Sequence, residues 1–153
     1  SSHRSLAKQL AERSVTRGYM ALTYNNFKND RGRIDVPVGR DPKMRLRQKA
    51  GVAEGREAVT NYTVVERLGN YTLVEARLET GRTHQIRVHL SHIHHPLVGD
   101  ALYGPVKNPF GVEGQMLHAY LLGFVHPASG KYMEFESPLP QEFCKVLDKL
   151  RGK

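Results

Sequence analysis

Two alternating stretches followed by an abrupt change of period at Gly81 constrain this chain most. Val59 to Glu66 and Tyr71 to Leu78 alternate as half-buried strands do, and Leu68, Gly69 and Asn70 supply the turn between them. Beyond Gly81, Ile86, Leu90 and Ile93 fall at i, i+4 and i+7, which predicts a helix from about Thr83 to His94. Thr83 is placed to cap that helix, and Pro96 lies just past its end. At the junction, Thr80 to Leu90 reads TGRTHQIRVHL, and its Arg82, His84, Gln85, Arg87 and His89 crowd donors into one short span. An ordinary connection needs no such density, which points to a site that grips something anionic and planar.

The same reading extends to both sides. Leu6, Ala7, Leu10 and Ala11 form a stripe that predicts a helix over Ser5 to Arg17, stopped by Gly18. Tyr19 to Tyr24 alternates as a strand, with Tyr19, Ala21 and Thr23 on one face and Met20, Leu22 and Tyr24 on the other. Asn25 to Gly32 reads as a loop and Arg33 to Val38 as an edge strand, since Pro37 removes a ladder donor. Arg45, Arg47 and Lys49 alternate with Met44, Leu46 and Gln48, so an extended ribbon there presents a basic face until Gly51 to Gly55 breaks it. Leu97 to Gly114 is a Gly- and Pro-rich structured loop. Leu121 to Val125 and Tyr132 to Glu136 form a hairpin, and Phe143, Val146, Leu147 and Leu150 mark a closing amphipathic helix.

A length of 153 residues suits one domain with a real core, and 39% hydrophobic with 25% charged residues is the balance of a soluble globular protein. No apolar run is long enough to span a bilayer or to serve as a signal peptide core. The single Cys144 makes no internal disulfide, so a reducing cytoplasm is expected. Beside Phe143 and Val146, Cys144 is assigned a packing role. The 23 Lys and Arg against 15 Asp and Glu leave a net charge of +8, which favours a polyanionic partner through counterion release. Arg82 to His89 and Arg40 to Lys49 concentrate that charge, so Arg82, His84, Gln85, Arg45, Arg47 and Lys49 are the expected nucleic-acid contacts.

On the helix after Gly81, Arg87 shares a face with His84, Ser91 and His94, away from the apolar stripe. There its planar guanidinium is suited to a two-point grip on a carboxylate or phosphate. A solvated surface arginine fits the spacing equally. Tyr19 opens a strand beside Arg17, where an aromatic can stack on a base or simply be half-buried in the sheet. His84, His89, His92, His94 and His95 invite a metal, but no Cys or carboxylate completes a closed set and Arg82 and Arg87 oppose a cation. No metal is assigned, and His118 is read as structural.

A longer series of ordered motifs resembles the RluA-type pseudouridine synthases over essentially the whole chain. It comprises Arg17-Gly18-Tyr19-Met20-Ala21, Ala58 to Tyr62, Leu78 to Leu90, His95 to Asp100, Leu102-Tyr103-Gly104, Leu117-His118-Ala119, His126-Pro127 with Gly130, and Pro138-Leu139-Pro140. The resemblance implies an α+β domain whose mixed, mostly antiparallel sheet is flanked by helices. It implies an enzyme that converts uridine to pseudouridine in structured RNA, above all ribosomal RNA, as a monomer and without metal or organic cofactor. It assigns Arg87 to the arginine that pairs with the family's nucleophilic Asp, and Tyr19 to the tyrosine that stacks on the flipped uracil and takes part in removing the C5 proton.

That Asp belongs to a His-Arg-Leu-Asp run ahead of the first helix. Here His3-Arg4 leads instead into Ser5-Leu6, and Asp30, Asp35, Asp41, Asp100 and Asp148 stand in other contexts. The chain is therefore expected to be the C-terminal majority of a catalytic domain, truncated at its N-terminus and inactive by itself. A non-catalytic RNA-binding remnant is the main alternative, and a hydrolase built on a histidine-bound metal a more distant one.

Overall fold

The computed structural model describes residues 15–153. Six strands, β1 (Thr16–Tyr24), β2 (Arg31–Asp35), β5 (Val59–Leu68), β6 (Tyr71–Leu78), β7 (Leu117–Val125) and β8 (Tyr132–Glu136), form one sheet in the order β2-β5-β6-β1-β7-β8. Every strand pair among the described residues is antiparallel. A small hairpin of β3 (Val38–Arg40) and β4 (Gln48–Ala50) follows β2, and among the described residues two helices, α1 (Gln85–His92) and α2 (Gln141–Leu150), accompany the sheet in this α+β fold.

Alternation along β1 and β6 divides the core into two layers. Ala21 pairs with Val74 and, with Ile34 and Ala76, faces Ile86 and Leu90 of α1. Leu22 pairs with Leu73 on the opposite face, against Val98, Met116 and the α2 residues Phe143, Val146 and Leu147. Both faces of the central strands are thus dry, and each helix covers one of them. A third cluster of Val38, Ala58, Val88 and Tyr103 fastens the β3–β4 hairpin to α1.

Several local expectations are corrected. The helix assigned to residues 5–17 lies outside the described residues except at its end, where Thr16 and Arg17 already belong to β1. Gly18 does not stop a helix. It sits inside β1 at a bulge against β7, where an added Cβ would come 3.0 Å from Tyr120 Cε1. A bulge bends the strand and re-aims the next side chain, here Tyr19. The edge strand ends at Asp35, and Val38 opens β3 instead.

The basic ribbon is only partly extended. Asp41 folds the segment back, its Oδ1 accepting the Lys43 N–H (2.9 Å) and its own N–H donating to the Arg47 carbonyl (2.9 Å). Arg45 therefore lies in the turn between Met44 and Arg47, and Arg45, Arg47 and Lys49 do not line one face. Cys144 is exposed on α2, so it does not fill the core.

Candidate active site

The Thr80–Gln85 connection is held by one buried amide. Gln85 Nε2 donates to the Val59 carbonyl and to Thr60 Oγ1, both at 2.9 Å. Its Oε1 accepts from Thr80 Oγ1 (2.7 Å) and the Arg82 N–H (3.0 Å). Thr80 Oγ1 in turn accepts the Val59 N–H at 2.9 Å. Gln85 is only 2% exposed and spends its donors and acceptors inside the protein, so the expected RNA contact at Gln85 is corrected to a structural clasp. The clasp pins the connection to the start of β5 and forces His84 into a left-handed conformation, φ 56°. The helix consequently begins at Gln85 with His84 as its N-cap residue, and Thr83 does not cap it.

Arg87 follows two residues later on the first turn of α1. Its Nε and Nη2 donate to Asp100 Oδ2 (2.8 Å) and Oδ1 (2.9 Å) in a two-point pair. The Asp100 side chain is fully buried and that of Arg87 is 14% exposed, which rules out a solvated surface arginine. Asp100 Oδ1 also accepts the N–H groups of Leu102 and Tyr103, at 3.2 Å each. The carboxylate raises the proton affinity of Arg87 further, chiefly through that hydrogen bond. Among the described residues Nη1 has no hydrogen-bond partner, so that side of the guanidinium can take a second anion.

Tyr19, from the far side of the sheet sequence, meets this helix. A cleft of about 230 Å³ is lined by Tyr19, Leu78, Arg82, His84, Arg87 and Leu117 among others. The structure thereby brings together the two residues singled out for chemistry and three of the proposed RNA contacts, Arg82, His84 and Gln85, the last with its amide already spent in the clasp. Gly81, next to Arg82, lines a neighbouring groove, and an added Cβ there would displace Nη1 of Arg17.

A second groove of about 340 Å³ shares Arg82 and adds Arg40, Gln48 and Arg56. Arg82 Nε donates to the Glu57 carbonyl at 2.7 Å, leaving the rest of its guanidinium for the groove. Of the ribbon residues, Arg45 and Lys49 are exposed, whereas Arg47 turns toward Asp41 (3.7 Å) and covers the Tyr103 ring (5.4 Å).

The histidines divide by position. His89 is fully buried, with Nδ1 2.8 Å from Thr60 Oγ1 and Nε2 2.7 Å from the Val36 carbonyl, and burial lowers its pKa. His92, His94 and His95 line a cleft of about 760 Å³ at the other end of α1. There His95 stacks on Phe27 at 3.7 Å and its Nδ1 meets the Tyr24 carbonyl. Among the described residues no three His, Cys, Asp or Glu side chains are grouped to hold a metal, and no helix is long and apolar enough to cross a membrane. Sequence reasoning missed Asp100, Tyr103 and Arg56 as site residues. The first two stood within motifs already noted, but only the fold carries them back onto α1.

Known proteins share both this sequence and this fold. Residues 1–92 match the family model for RNA pseudouridylate synthase. An RNA pseudouridine synthase of Bacillus subtilis is 48% identical over 98% of this chain and 49% of its own length. The ribosomal large subunit pseudouridine synthase D of Neisseria meningitidis serogroup B is 42% identical, over 96% of this chain and 42% of its own. The chain thus spans about half the length of these relatives, 49% of the first. The solved structure of human RNA pseudouridylate synthase domain containing 4 superposes with a TM-score of 0.78 at 25% identity, covering 97% of this chain and 67% of that one. With a fold and a sequence that agree, the chain belongs to the RNA pseudouridylate synthase family.

Proposed function

We propose that this chain is the uridine-positioning part of an RNA pseudouridine synthase acting on structured RNA, with ribosomal RNA as the first candidate substrate. The observation that carries the reading is the meeting of Tyr19 and Arg87, from separate elements, in one cleft beside Arg82 and His84. Relatives named for the large ribosomal subunit support the choice of RNA.

In this reaction a carboxylate attacks uridine at C1′ or at C6, the glycosidic bond breaks, the uracil turns and C5 is joined to C1′; the bond to the carboxylate breaks, C5 gives up its proton and N1 takes one up. The open Nη1 side of Arg87 holds that carboxylate ionised and aimed, while Asp100 fixes the opposite edge. The Tyr19 ring stacks on the extruded uracil, and its hydroxyl takes part in removing the C5 proton. Flipping a base costs a few kcal/mol, which stacking on an aromatic ring offsets by about 1–3 kcal/mol. The groove of Arg40, Arg56 and Arg82 carries the backbone phosphates toward the cleft. The proposal includes a monomer working in the cytoplasm without a cofactor.

Residues 1–153 contain no His-Arg-Leu-Asp run, so they alone are proposed to bind RNA without converting uridine. The test is carbodiimide primer extension on ribosomal RNA, comparing these residues with a longer form that carries the family's nucleophile segment. Conversion by the longer form, lost in Arg87→Ala, is the expected result. RNA binding with no conversion by the longer form would make the protein a non-catalytic remnant instead.

A further inference from the structure

Tyr103 has no part in the chemistry above, yet it ties the start of α1 to the β3–β4 hairpin beside the cleft. It is 7% exposed, and the guanidinium groups of Arg87 and Arg47 lie 5.0 and 5.4 Å from its ring centre. Its hydroxyl has two hydrogen-bond partners among the described residues, the Gln48 N–H at 2.8 Å and His84 Nδ1 at 2.7 Å. These two contacts constrain where the protons are. A backbone amide only donates, so Gln48 occupies a lone pair of the phenol oxygen. The phenolic proton then requires an acceptor, and Nδ1 of a neutral imidazole is the one in reach. A proton on Nδ1 would set two donors against the oxygen and bury the phenolic proton with no acceptor.

We infer that Tyr103 is a positioning residue that locks His84 as its Nε2–H tautomer, making His84 a fixed hydrogen-bond donor in the cleft for an oxygen of the bound nucleotide. The inference rests on the reading that this cleft takes a nucleotide. Nε2 makes no hydrogen bond among the described residues, while His84 lines the cleft with Tyr19 and Arg87. Burial first, and Arg87 second, lower the pKa of His84 against a smaller opposing pull from Asp100, which keeps the ring neutral. The left-handed backbone at His84, uncommon outside glycine, is held by the Gln85 clasp and fixes the direction of the ring. Since Gln48 begins β4, the same hydroxyl ties the hairpin to the cleft. An acceptor of the required kind is a uracil carbonyl or a phosphate oxygen.

The test is long-range ¹⁵N–¹H correlation spectroscopy of His84 in this chain at pH 7.5, with a short oligouridine as probe. The expected spectrum is that of the Nε2–H tautomer, with an Nε2 signal that moves when the oligouridine is added. Tyr103→Phe should give a mixture of tautomers. An abasic oligonucleotide that moves the signal equally identifies the acceptor as phosphate, and one that does not identifies it as a base carbonyl. His84→Ala should weaken binding about three- to tenfold, the worth of one hydrogen bond, and His84→Gln should restore most of it. An Nδ1–H tautomer in the unaltered chain overturns the inference whether or not Tyr103→Phe folds. So does an Nε2 signal that stays still while the Arg87 signals shift, and in both cases the synthase reading stands. Oligouridine that moves neither residue overturns the synthase reading and the donor role with it.

Discussion

Changing Asp100 to Asn tests whether the Arg87 pair is the structural anchor of the cleft. Asn keeps the shape and an oxygen for the Leu102 and Tyr103 N–H groups, now at 3.2 Å each. It replaces the other oxygen, 2.8 Å from Arg87 Nε, with an NH₂ that faces a donor. The variant therefore leaves a mostly buried cation without its countercharge. Removing one member of a buried pair costs about 3–5 kcal/mol. Because Arg87 retains 14% exposure, water recovers part of that, and the lower end, about 3 kcal/mol, is the expected loss. With a urea m-value of about 2 kcal/mol per molar, the unfolding midpoint should fall by about 1.5 M. Arg87→Met combined with Asp100→Asn removes both charges while keeping the two backbone contacts. The double variant should therefore be more stable than the sum of the single losses, with a coupling of about 2 kcal/mol. A midpoint shift below about 0.5 M, or additivity within about 0.5 kcal/mol, would refute the reasoning.

In the longer, nucleophile-bearing form, Arg87→Lys should lose most activity, since an ammonium cannot hold Asp100 and a second carboxylate with two planar edges; near-normal turnover would show otherwise. Tyr19→Phe should still bind RNA through its ring yet fail in the chemical step, and single-turnover conversion at the normal rate would remove the hydroxyl from proton abstraction. His89 is neutral in the fold because burial lowers its pKa, so the unfolded chain binds the proton more readily. Stability contributed there is fully present above the unfolded value of about 6.5 and declines as pH falls through it toward the folded pKa. Urea midpoints should drop between pH 7.5 and 5, and the His89 share should be absent in His89→Gln; an equal drop in that variant would assign the effect elsewhere. Replacing Arg40, Arg56 and Arg82 with Gln should flatten the salt dependence of RNA binding by up to about 2 in slope, at roughly 0.7 per single-strand phosphate contact, and an unchanged slope would take the groove off the RNA path.

What the sequence determined by itself is the set of local periods and the family. Alternation alone located β6 at Tyr71–Leu78 and divided β1 between two faces, because burying one side of a strand imposes a two-residue repeat. The spacing of Ile86 and Leu90 made α1 legible for the same reason at helical period, and the motifs around Arg87 and Tyr19 named the family. Tertiary structure decided what those residues touch. Helical spacing allowed Arg87 to be solvated or paired, and only the return of the Leu97–Gly114 loop supplies Asp100.

Gln85 looked like one more donor in a donor-rich run, but its hydrogen bonds close on nearby Thr80 and on Val59 and Thr60, which are distant in sequence. Arg45, Arg47 and Lys49 alternate as in a ribbon, yet Asp41 turns the chain beneath them, a competition between side-chain and ladder hydrogen bonds that periodicity does not register. Periodicity reports which side of an element is dry. Partners joined by long-range hydrogen bonds leave no period, so the clasp, the arginine pair and the tyrosine that orients His84 exist only in the folded chain.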